Sequence, residues 1–135
     1  MAKKTWVEKL NSRAEPVVEV TEKAGMGMPP GTRLLISTPR EIQSRVQAIP
    51  AGKSLSVAEL RADLARAHKA DATCPLTTGI FLRIVAEVAL EQMAAGSNPG
   101  EVTPFWRVVE PKSPLAKKLS CGPDRITALR SAEGI

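Results

Sequence analysis

Apolar positions recur every three to four residues along three stretches of this chain, and each stretch opens on a helix-starting signal. Thr38, Pro39 and Glu41 form the first: an N-cap hydroxyl, a proline at the first helical position and a carboxylate placed to reach back in a capping box. The helix they start runs to about Ala48 and buries Ile42, Val46 and Ile49, and Pro50 and Gly52 then turn the chain. Ser56 with Glu59 opens a second helix in the same way, with Val57, Leu60 and Leu64 on its inner face and Arg61, Asp63 and Arg66 outside. After a polar connection from His68 to Thr73, Cys74-Pro75 starts a third helix that ends near Ala95, before Gly96. It spans roughly 30 Å. Ile80, Ile84 and Val88 form its apolar stripe, Phe81, Val85 and Ala89 widen it, and Thr77 and Thr78 sit at an exposed start.

Around the helices the period shortens. Leu34-Leu35-Ile36 predicts a short strand. After the Ser97–Gly100 turn, Val102 to Glu110 alternates: Phe105, Arg107 and Val109 point one way, Trp106, Val108 and Glu110 the other. That predicts a central strand entered through Pro104, with Pro111 to Ser113 turning it into a hairpin. A last helix starts at Pro123 and turns Ile126 and Leu129 inward, with Gly134-Ile135 at its end. Residues 1–33 predict an arm, mobile or laid across the domain, with Trp6 and Val17-Val18 as anchors, since Ala24 to Gly31 suits no regular element. The expectation is one mainly α domain over 34–135 with a small β hairpin. Its second and third helices form either a helix-turn-helix or an ordinary helical hairpin.

Composition narrows the function. The 135 residues carry 19 Lys and Arg against 14 Asp and Glu, a net charge of +5, which suits a polyanionic partner without requiring one. The excess is local: Arg107, Lys112, Lys117, Lys118, Arg125 and Arg130 face only Glu110 and Asp124 between 107 and 130. Four aromatic residues, none of them tyrosine, disfavour a base-stacking platform for single strands. The apolar tract from Gly79 to Leu90 is too short for a membrane span and is broken by Arg83 and Glu87. No secretion signal follows Lys3 and Lys4, so a cytoplasmic setting is expected. Cys74, Cys121 and the single His68 make neither a disulfide framework nor a metal site, and no cofactor is implied.

Three motifs share an order with a known family. Pro104-Phe105-Trp106-Arg107-Val108-Val109 resembles the Pro-Cys-His-Arg-Val-[Val/Ile] signature of the methylated-DNA–protein-cysteine methyltransferases. Ile49-Pro50-Ala51-Gly52-Lys53-Ser54-Leu55-Ser56 is similar to the Ile-Pro-x-Gly-x-Val-x-[Thr/Ser] opening of that family's DNA-binding domain. Leu129 to Ile135 is similar to its closing Leu-Leu-x-x-Glu-Gly-[Ile/Val]. The resemblance implies a winged helix-turn-helix domain of the alkyltransferase type, with residues 111–113 in the wing.

It also implies what has been lost. The family's cysteine takes an alkyl group from a flipped guanine, and its histidine, held by a glutamate near the C-terminus, draws off the thiol proton. Phe105 and Trp106 stand at those positions and can neither attack nor carry a proton. Glu133 matches the glutamate and has no histidine to orient. Val57 stands where a tyrosine helps rotate the nucleotide, and Gly79 where an arginine enters the duplex, with Arg83 one turn further on the same face. The implied reading is a non-enzymatic protein similar to the alkyltransferase-like proteins, which bind alkylated DNA without repairing it. Double-stranded DNA, plain or alkylated, is then the partner, touched by Ser56, Thr77, Thr78, Gly79, Arg83, Lys117 and Lys118. A lesion pocket would take Phe105, Trp106, Arg107, Ser120, Cys121, Gly122 and Glu133. The same two aromatic side chains could instead fill the old cavity. The alternatives are an interaction or regulatory protein that no longer binds lesions, and an enzyme using a relocated thiol at Cys74 or Cys121.

Overall fold

In the computed structural model, which describes residues 4–12, 15–25 and 27–135, the chain is mainly helical around a small three-stranded sheet. The sheet comprises β1 (Val17–Val20), β2 (Arg33–Ile36) and β3 (Ala72–Thr73), in that order. β1 runs antiparallel to β2, with Val18 opposite Leu35. β3 runs parallel to β2, with Leu35 opposite Thr73. So short a strand as β3 holds because its flanks also bond: the Arg33 amide donates to the Asp71 carboxylate at 2.9 Å, and the Cys74 amide to the Leu35 carbonyl at 2.8 Å.

The helices follow the capping signals closely. Helix α2 (Pro39–Gln47) starts at Thr38, whose hydroxyl accepts from the Glu41 amide, and buries Ile42 and Val46. The Glu41 carboxylate does not return to the cap; it accepts from the Ser37 hydroxyl and meets the His68 ring, tying α2 to the end of α3 (Val57–Ala67). In α3 the Ser56–Glu59 capping box is complete, and Leu60 and Leu64 are buried. Arg61 and Asp63, expected on its outer face, are half-buried. Arg61 Nε donates to the Thr73 carbonyl at 3.1 Å, while Asp63 pairs with Arg45 and Arg66.

Helix α4 (Pro75–Ala94) crosses the middle of the molecule, buried at every position from Ile84 to Ala89. Its first half has one buried side, through Thr78, Phe81 and Leu82, so Ile80 is turned outward and lies 51% exposed instead of joining the stripe. None of the helices among the described residues is long and apolar enough to cross a membrane.

Two expectations need correction. Residues 102–110 form no strand: Phe105–Arg107 is a single 3-10 turn, and no hairpin follows it. Alternation predicts one wet face, but Phe105, Trp106, Val108 and Val109 are all sealed in the core. No strand lies alongside to take their backbone groups. Those groups bond locally instead, Arg107 N to Pro104 O at 3.0 Å and Val109 N to Phe105 O at 2.9 Å. Residues 114–118 form helix α5 (Pro114–Lys118), which leads into α6 (Gly122–Ala132).

The N-terminal segment is built into the fold. Helix α1 (Trp6–Leu10) packs on α4 with Leu10 in the core, and β1 completes the sheet. Of the expected anchors, Trp6 and Val18 pack against the core, while Val17 is 41% exposed. Lys3 and Arg13, both in the expected arm, lie outside the described residues.

Candidate functional site

The three motifs lie far apart in sequence and meet at one carboxylate. Glu133, just past the end of α6, takes a forked pair from Arg107, Nε to Oε1 and Nη2 to Oε2, both at 2.8 Å. Oε2 also accepts the indole N–H of Trp106 at 2.9 Å, and Oε1 the Gly52 amide at 3.1 Å. The remaining arm of Arg107 donates to the Ile49 carbonyl at 2.6 Å, and its own carbonyl accepts from the Leu55 amide at 2.9 Å. Arg130 caps the arrangement by donating to the Trp106 carbonyl at 2.8 Å.

Glu133 therefore still has something to hold. An indole N–H occupies the place where an imidazole was expected to be missed, and it can donate a hydrogen bond without moving a proton. The Arg107 guanidinium outweighs burial and, with the Gly52 and Trp106 N–H groups, lowers the carboxyl from an ordinary value of 4.5 to about 2. The result is a fixed ion pair that joins the 105–107 turn, the 49–55 loop and the chain end.

Phe105 is fully buried and Trp106 is 1% exposed, their rings edge-to-face at 5.3 Å. Neither lines the groove beside α4 or the smaller cavity near Pro29 and Asp71. At these two side chains the core is closed, and the expected lesion pocket has no opening there. Ser120, Cys121 and Gly122 sit elsewhere: the Ser120 amide and hydroxyl both donate to Glu87, a carboxylate buried inside α4. Burial, helped by the nearby Glu87 charge, pushes the half-buried Cys121 thiol up, away from the thiolate. Glu87 went unnoticed as a site residue; its only sequence trace is a charge interrupting an apolar tract.

The DNA-contact set divides in the same way. Gly79, Arg83 and Lys118 line one groove of about 750 Å³, together with Val57. Lys117 is exposed beside it, and Ser56 is occupied as the cap of α3. Thr77 is half-buried, and Thr78, expected at an exposed helix start, is fully buried with its hydroxyl on the Cys74 carbonyl at 2.7 Å.

The groove runs along the first half of α4, between α1 and α5. Its walls are mostly apolar, and Leu76 (66%) and Ile80 (51%) stand exposed at its edge. Its charged lining is wholly basic: Lys9, Arg83 and Lys118. Trp6 lies between two of these, 4.4 Å from the Lys9 ammonium and 5.4 Å from the Arg83 guanidinium. Arg83 Nε is buried there without a hydrogen-bond acceptor among the described residues. No family model, curated protein or solved structure matches the chain.

Proposed function

We propose that this is a non-enzymatic DNA-binding protein built on the helix-turn-helix plan of the alkyltransferase-like proteins, without the wing. Helices α3 and α4 act as its helix-turn-helix pair, and α5 begins directly after the 111–113 segment expected as the wing. The observation that carries the proposal is the convergence on Glu133. The 49–56, 104–109 and 129–135 motifs, matched separately in sequence, share one hydrogen-bond cluster. The DNA face is the open half of α4 and the cations around it. Arg83, Lys117 and Lys118 have no carboxylate partner among the described residues. The proposal stops at duplex DNA, because the sealed Phe105 and Trp106 leave an alkylated guanine no place at the signature turn.

Fluorescence anisotropy of a labelled duplex across a salt series tests this. Affinity is expected to fall steeply with salt, and the Lys117→Ala/Lys118→Ala double variant to flatten the log–log slope by about two, one phosphate contact per lysine. Plain and alkylguanine duplexes are expected to bind alike. A slope near zero for the unaltered protein would overturn the reading. A second reading, an interaction or regulatory protein that has left DNA behind, is favoured by one observation: the exposed Leu76 and Ile80 on the face that DNA would meet.

A further inference from the structure

We infer that the groove between α1 and α5 is a docking site for the apolar face of an acidic amphipathic helix on a partner protein, an interaction beyond DNA binding. Three features point to that occupant. Leu76 and Ile80, one turn apart and both more than half exposed, present an apolar ridge of the kind that packs between the i and i+4 side chains of a second helix. The open stretch of α4 from Leu76 to Arg83 is roughly 10 Å long, enough to lie along about two turns of a partner.

The second feature is charge. Every ionisable group lining the groove is a cation, so a helix with carboxylates flanking its apolar stripe is complemented and a basic one is repelled. Third, Arg83 is pinned against Trp6 with its Nε buried and lacking an acceptor. The Nε is closed to solvent, so an incoming carboxylate would meet the outer guanidinium nitrogens of Arg83, which share its charge. Duplex DNA could supply an anionic oxygen too, but a phosphate backbone offers nothing to an apolar lining of Val57, Pro75, Pro114 and Leu115. The two ligands would share Arg83 and Lys118 and therefore exclude one another.

Calorimetric titration of the full chain decides this with three synthetic peptides of about 14 residues. The first carries leucines at i, i+3, i+4 and i+7 with glutamates elsewhere, the second replaces the glutamates by lysines, and the third scrambles the first. The glutamate peptide is expected to bind at least about tenfold more tightly than either control. Ile80→Asp and Arg83→Gln are each expected to weaken it by about tenfold or more. Leu76→Asp, at a still more exposed position, repeats the test if Ile80→Asp perturbs the circular-dichroism spectrum. The glutamate peptide should also displace the labelled duplex. Equal binding of all three peptides, or of none, overturns the inference. Loss of DNA binding in Ile80→Asp with no peptide binding overturns it as well and gives the groove to DNA, whereas peptide binding with no DNA binding leaves it standing and removes the DNA reading alone.

Discussion

Glu133 accepts four hydrogen bonds on two oxygens, from Trp106, from two nitrogens of Arg107 and from the Gly52 amide. Its carboxyl is lowered to about 2, so the folded chain holds the ionised form far more tightly than the unfolded chain does. The sign follows. The stability it contributes is fully present above the ordinary carboxyl value of 4.5 and drains away as pH falls toward about 2. The shift corresponds to about 3 kcal/mol. Urea unfolding at about pH 7, above that window, and at about pH 4 and 2.5, within it, should show the decline. Glu133→Gln should cost about 2–4 kcal/mol at pH 7, since it leaves the Arg107 charge without its counter-ion, and should flatten the fall below pH 4.5. An unchanged acid limb in that variant would mean that other carboxyls set it.

Elements differ in how openly the sequence declares them. Helices α2 and α3 were legible because their first turns carry the hydroxyl caps that satisfy free amides, a local requirement met by neighbouring residues. The length of α4 was legible for a similar reason, between Pro75 and Gly96. The turn at 105–107 was not. Alternation marks a strand only where one face is wet and a partner lies alongside, and this stretch has neither. Nor could a five-residue apolar pattern at Trp6–Leu10 announce whether it docks, because so short a helix is held by what it packs on. Leu10, only 3% exposed, makes that docking testable. Leu10→Ala should destabilise the protein by about 2–4 kcal/mol in thermal or urea unfolding. A loss within experimental error would mean that the segment is an arm after all.

At the scale of the whole molecule, the chemistry that remains available depends on every nucleophile the fold keeps. The candidate site was legible as a set of motifs, but their meeting at Glu133 was not, since the residues that close the cluster are up to 81 positions apart, from Gly52 to Glu133. The 105–107 turn carries an aromatic pair with no nucleophilic lone pair to offer an alkyl carbon. Of the two thiols, Cys74 is buried at the start of α4, and Cys121 is held away from its thiolate by burial and by the Glu87 charge. Alkyl transfer needs a thiolate exposed to a flipped base, and neither cysteine meets both conditions. Incubation with methylguanine duplex should therefore leave the intact mass unchanged over hours, at neutral pH and also at pH 9, where a more reactive thiol would already be ionised. A stoichiometric methyl-sized gain that peptide mapping places on Cys121 would make the protein an enzyme with a relocated nucleophile, and its DNA binding would then be substrate binding.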